Sequence, residues 1–108
     1  MASYLLIESR DPYSSGDNEF CLDLARRLVA AGDKVTLFLV QNGVQPARSG
    51  AEAAGLVALA QDGVDVVADE FSLRERGIAP GRMHPGIRPS PLEVVIDRLA
   101  EGCKVIWH

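Results

Sequence analysis

Two thiols and two imidazoles are the first places to look for covalent chemistry in this chain: Cys21, Cys103, His84 and His108. A cysteine reacts as its thiolate, which needs exposure and positive surroundings. Cys21 sits with Leu24, Ala25 and Leu28 on an i, i+3, i+4, i+7 stripe, the apolar face of an amphipathic helix. Asp17, Glu19 and Asp23 nearby oppose a thiolate. That pattern reads as a core position, with a reactive thiol as the competing reading. Cys103, between Gly102 and Lys104 at the start of the last apolar run, reads as structural. The histidines have no spacing that suggests a metal pair, and His84, between Met83 and Pro85, reads as a loop residue.

The carboxylates form the second group. Asp69 and Glu70 follow the apolar run "VDVVA", where a parallel strand would present its C-terminal end. Adjacent carboxylates can divide acid and base roles when their environments differ. The competing reading is that they begin a short helix, where negative charge is favourable. In that reading Asp69 caps the helix or pairs with Arg74 or Arg76. Ser72 has no histidine or lysine nearby in sequence to activate it, so it reads as a helix cap rather than a nucleophile. Glu8, Ser9, Arg10, Asn42-Gly43 and Asp69 should share one rim, with Arg76 close by, and that rim is the candidate binding site.

The elements that must position these residues alternate from end to end. Apolar runs at 4–8, 34–40, 64–68 and 104–107 read as buried parallel strands. A helix is expected from Asp17 to Ala31, ending at Gly32. Three later helices are expected to open on capping boxes, Ser49…Glu52, Ser72…Glu75 and Ser90…Glu93, the last with Pro91 in its first turn. Gly63, Gly77 and Gly102 fall where left-handed stops belong. The stretch 78–91 is interrupted by prolines, and "MHPGI" (83–87) is its candidate for a short edge strand. The expectation is a three-layer α/β sandwich with a parallel, doubly wound sheet of about five strands, a single domain over residues 1–108.

Composition narrows the function classes. The 108 residues are 47% hydrophobic, enough to bury one core. A net charge of −4 argues against nucleic acid, and no apolar run approaches a membrane span. "MASYLLIE" reads as a strand rather than a signal peptide, which with two widely separated cysteines points to the cytoplasm and no disulfide. Phosphate-binding glycine patterns, a GxSxG elbow and a CxxC pair are all missing, and nothing asks for a cofactor or a metal. Nine of the eleven basic residues are arginine, six of them in or near expected loops. With Met83, Ile87 and Trp107 expected on the surface among them, that mixture suits an interface core.

The order "YLLIESRDP", "GDNEFCLDLARRLVAAGDKVTLFLVQNGV", "LRERGI" and "KVIWH" resembles the DsrE/DsrF/DsrH superfamily of small sulfur-relay proteins over nearly the whole chain. The resemblance implies a parallel five-stranded sheet flanked by helices, and cytoplasmic trimers, hexamers or mixed hexamers that work with other sulfur-relay proteins. It also implies a persulfide on one cysteine of the active members. In DsrE-type members that cysteine follows the third strand, about eight residues before the glycine that Gly77 matches, and here the position is Asp69. DsrH-type members carry a cysteine early in the first helix instead, which Cys21 matches, and Trp107 near the end is also DsrH-like. Two functions stand at this point. One is a sulfur-relay subunit, non-catalytic or carrying sulfur on Cys21. The other is a small-molecule-binding or enzymatic α/β domain using the rim.

Overall fold

The computed structural model describes residues 2–10, 18–48 and 54–108. Strand β1 (Ser3–Glu8) leads to helix α1 (Asn18–Ala30) and strand β2 (Lys34–Leu39). A 3-10 helix (Gln41–Ala47), α2 (Ala54–Gln61), β3 (Asp65–Asp69) and α3 (Glu70–Glu75) follow. After a short 3-10 turn (Pro80–Arg82) come β4 (Arg88–Ser90), α4 (Glu93–Ala100) and β5 (Lys104–Trp107). All five strands run parallel in the order β4-β3-β2-β1-β5. The chain therefore walks outward from β1 to β4, then crosses back to place β5 on the far side of β1.

Alternation along the strands divides the core into two layers. Leu6, Leu37, Leu39, Val66 and Ala68 face α1 and α2, packing on Cys21, Leu22, Ala25, Leu56 and Leu59. Leu5, Ile7, Phe38 and Val67 face the other way, against Val94 and Val95 of α4. The first layer is closed, but the second is thin. Ile96, Leu99 and Trp107 stay more than half exposed on the α4 side.

Helix ends follow the glycines. The N–H groups of Asp33, Val64, Ile78 and Cys103 each reach the carbonyl five residues back, at 2.9–3.0 Å, closing α1, α2, α3 and α4 in Schellman fashion. That closure requires the preceding residue to be left-handed, and Gly32, Gly63, Gly77 and Gly102 have φ of 90°, 105°, 67° and 84°.

The helix starts differ from expectation. Ser72 does not open α3; Asp69 does, and Ser72 lies one turn inside. Ser90 is the last residue of β4, and α4 begins at Glu93 with no side-chain cap. Pairing with β3 at Asp69 holds Ser90 in the sheet, which removes it from the helix start. Ser49…Glu52 and Asp17 lie outside the described residues. The fourth strand is "RPS" rather than 83–87. It takes Pro89 because it is an edge, and Arg88 locks it to β3 through Asp65 at 2.7 and 2.9 Å. Within 83–87 only Met83 pairs, in an isolated antiparallel bridge to Arg48. Met83 and Ile87, expected on the surface, are core residues at 6% and 3% exposure.

Candidate functional site

The expected rim residues, joined by Cys21 and His108 but not by Cys103 or His84, lie at the C-terminal ends of the strands in two clusters. The first is built on Glu8. Its side chain follows Leu6 onto the α1 face and is buried. A buried carboxylate is costly unless hydrogen bonds meet it, and three groups do. The Arg10 N–H donates to Oε1 at 2.9 Å. His108 Nδ1 lies 2.8 Å from Oε2; a carboxylate only accepts, so Nδ1 carries the proton. The thiol of Cys21 is the third donor.

Cys21 is accordingly an unreactive thiol. Burial, then the charge of Glu8, then the hydrogen bond to Glu8 push its pKa up from 9.0 to about 12. The imidazole is pinned as firmly. The His108 N–H donates to the Ile7 carbonyl at 2.8 Å, and its own carbonyl accepts from the N–H and hydroxyl of Ser9 at 3.0 and 3.2 Å. Its ring lies 5.3 Å from that of Phe20, centre to centre.

The second cluster joins the ends of β2 and β3. Asp69 Oδ2 accepts from the Ser72 N–H at 3.1 Å and from its hydroxyl at 2.7 Å. Asp69 therefore caps α3 rather than pairing with Arg74 or Arg76. Ser72 Oγ accepts in turn from the Gln41 N–H at 2.9 Å, holding Gln41 at φ 51°, a left-handed angle a side chain seldom takes. Arg76 donates through Nε and Nη2 to Asn42 Oδ1 at 3.2 and 3.0 Å, and through Nη1 to the Ser72 carbonyl at 3.3 Å.

Gly43 connects the clusters. The Val40 N–H donates to the Glu8 carbonyl at 3.0 Å, and a Cβ at Gly43 would run into that same oxygen. The rim residues expected from sequence thus separate into Arg10 beside Glu8, and Asn42, Asp69 and Arg76 together, with Gly43 at the junction. The union of Glu8, Cys21 and His108 was not legible, since Glu8 and His108 stand 100 residues apart. Adjacency of β5 to β1 is what joins them. Among the described residues, no group of three His, Cys, Asp or Glu is placed to hold a metal, and no helix is long and apolar enough to cross a membrane.

An all-parallel, doubly wound sandwich with polar groups gathered at its C-terminal rim is the class of protein that these observations define. The model of the DsrE/DsrF-like family matches residues 2–108, and the chain belongs to that family. The match is to the family as a whole, so the DsrH-type assignment of Cys21 rests on its place in α1 alone. No curated protein matches. Among solved structures, the ychN protein from E. coli is 21% identical, with a TM-score of 0.87 and all of both chains covered. MTH1491 from Methanobacterium thermoautotrophicum, a protein of unknown function, is 19% identical with a TM-score of 0.83, covering 99% of this chain and 98% of its own. BT1422 from Bacteroides thetaiotaomicron, also of unknown function, is 15% identical with a TM-score of 0.80, covering 98% and 94%. At these identities the likeness concerns the fold.

Proposed function

We propose that this chain is a non-carrying subunit of a cytoplasmic sulfur-trafficking assembly, working as a homo-oligomer, trimer or hexamer, beside other sulfur-relay proteins. The observation that supports it most is the state of Asp69. The position where DsrE-type relatives place a cysteine holds a carboxylate engaged in capping α3, and a carboxylate cannot hold a persulfide. Cys21 is the thiol at which an accepted sulfur would have to reside. It is buried and held protonated by its surroundings, which argues against transfer there. Cys103 is half-buried just before β5, at the end of the sheet opposite the rim. Assembly is supported by the apolar α4 side, where Ile96, Leu99 and Val105 remain uncovered.

The test is mass spectrometry after incubation with inorganic polysulfide. The expected result is no sulfur atom gained on peptides carrying residues 64–77 or Cys21. A gain on Cys21 that vanishes in Cys21→Ser and survives in Asp69→Asn would make Cys21 a carrier and overturn the reading. Light scattering should give a mass several times 11.6 kDa; a monomer at tens of micromolar would count against the assembly.

A further inference from the structure

A crevice opens on the α4 side of the rim, beside the cluster of Asp69, Ser72 and Gln41. It encloses about 240 Å³ between the ends of β2 and β3, the first turn of α3, the approach to α4 and the end of β5. Val40, Asp69, Phe71, Glu75, Leu92 and Trp107 are among the residues that line it. We propose that this crevice binds a small alkylammonium ion.

The argument begins with Asp69. It is 7% exposed, and both hydrogen bonds from Ser72 fall on Oδ2, so Oδ1 has no donor among the described residues. Among the described residues no arginine, lysine or histidine forms an ion pair with it. A buried carboxylate with an open oxygen facing a cavity lacks a counter-charge. Glu75, also in the lining, adds a second carboxylate, partly offset by the Arg76 guanidinium at 3.9 Å. The adjoining hollow beyond Phe71 carries Glu70 and Glu93 against Arg74. An anionic ligand is disfavoured by every one of these carboxylates. A hard divalent ion would want several converging oxygens, whereas much of this lining is apolar.

The rings specify the ligand further. Phe71 and Trp107 are 59% and 65% exposed. The face of an aromatic ring attracts a cation, tryptophan most strongly, and rings around a carboxylate are the chemistry that recognises alkylated ammonium groups. The volume lies below the roughly 300–1,000 Å³ of drug-sized sites, which limits the ligand to on the order of ten heavy atoms. The chain's net charge of −4 favours the approach of a cation. The crevice lies at the rim position where DsrE-type relatives place a cysteine, and cation binding there uses neither cysteine of this chain.

Trp107 is the only tryptophan in the chain, so its fluorescence reports on this crevice alone. The full-length protein should be titrated with choline chloride, with sodium chloride at equal ionic strength, and with dimethylbutanol, the uncharged carbon isostere of choline. Choline should give a saturable change with a midpoint on the order of 1 mM, and the other two none. Asp69→Asn keeps an oxygen for the helix cap but removes the charge, and should weaken binding about tenfold. Glu75→Gln, at an exposed position that folding does not need, should weaken it about threefold. The inference is overturned by no saturable response to choline, by an equal response to dimethylbutanol, or by unchanged affinity in both variants with circular dichroism intact.

Discussion

Cys21 provides the sharpest quantitative prediction, because its surroundings set a reaction rate. At pH 8 a thiol with the ordinary pKa of 9.0 is about one-tenth ionised, whereas one at about 12 is ionised to about one part in ten thousand. The thousandfold loss of thiolate is partly offset, because a more basic thiolate is a better nucleophile. A Brønsted slope of about 0.4–0.5 returns about 20-fold across that interval. The net expectation is that iodoacetamide alkylates Cys21 about 50-fold more slowly in the folded chain than in the chain unfolded in urea, before any further slowing by burial. Peptide mass spectrometry over a time course measures it. Glu8 supplies the second and third causes of the raised pKa, and burial supplies the first. Glu8→Gln keeps an oxygen for His108 and Arg10 while removing the charge, so it should speed alkylation only partly, by about 3- to 10-fold. Alkylation at the unfolded rate in native protein, or no acceleration in a folded Glu8→Gln variant, would refute the account of this cluster.

The same thiol ties stability to alkaline pH. Because its folded pKa is raised, its contribution is complete below pH 9 and is lost as pH rises from 9.0 toward 12, by up to about 4 kcal/mol; urea unfolding of Cys21→Ala should show a flatter decline over that window than the parent chain. Gly43→Ala drives a methyl into the Glu8 carbonyl and should cost about 2–3 kcal/mol, lowering Tm by about 10–20 °C in a thermal melt; an unchanged Tm would show that the junction of β1 and the 3-10 helix opens freely. Asp69→Ala should cost about 1–2 kcal/mol through loss of the α3 cap, while Asp69→Asn should stay within a few tenths of the parent by urea titration.

Fold class was readable because its signals are local. Four apolar runs lie within a residue of β1, β2, β3 and β5, and the glycines after the helices stop them as their backbone freedom predicts. The misreadings came from signals that are local but shared. Ser-x-x-Glu recurs at 72–75 and 90–93, yet at the first Asp69 reaches the helix N–H groups ahead of Ser72, and at the second the sheet claims Ser90. Strand β4 was hidden because Arg-Pro-Ser looks like a loop and becomes a strand only through β3 and the Arg88–Asp65 fork. Met83 and Ile87 looked like surface residues beside arginines, and a core position depends on what packs over it. The rim was legible as a place, since C-terminal strand ends gather there in any parallel sheet. Its partition into two clusters was not, because nothing near residue 8 in sequence announces a histidine at 108.

Strand β5 also bears on how this chain avoids its neighbours in a crowded solution. It is four residues long, begins with Lys104 and is largely exposed, and it pairs only with β1. A short, charged outer strand is a poor template for another chain. What it hides is a good one. Tyr4, Leu5, Leu6 and Ile7 form a continuous apolar ladder that β5 covers residue for residue. Whenever the last strand frays, that ladder becomes an open edge of the kind that seeds intermolecular β-pairing. The hydrogen bonds from Ser9 to the His108 carbonyl and the contact between Glu8 and His108 therefore act as a clasp against aggregation, and loosening it would appear as turbidity on warming before any loss of the central strands.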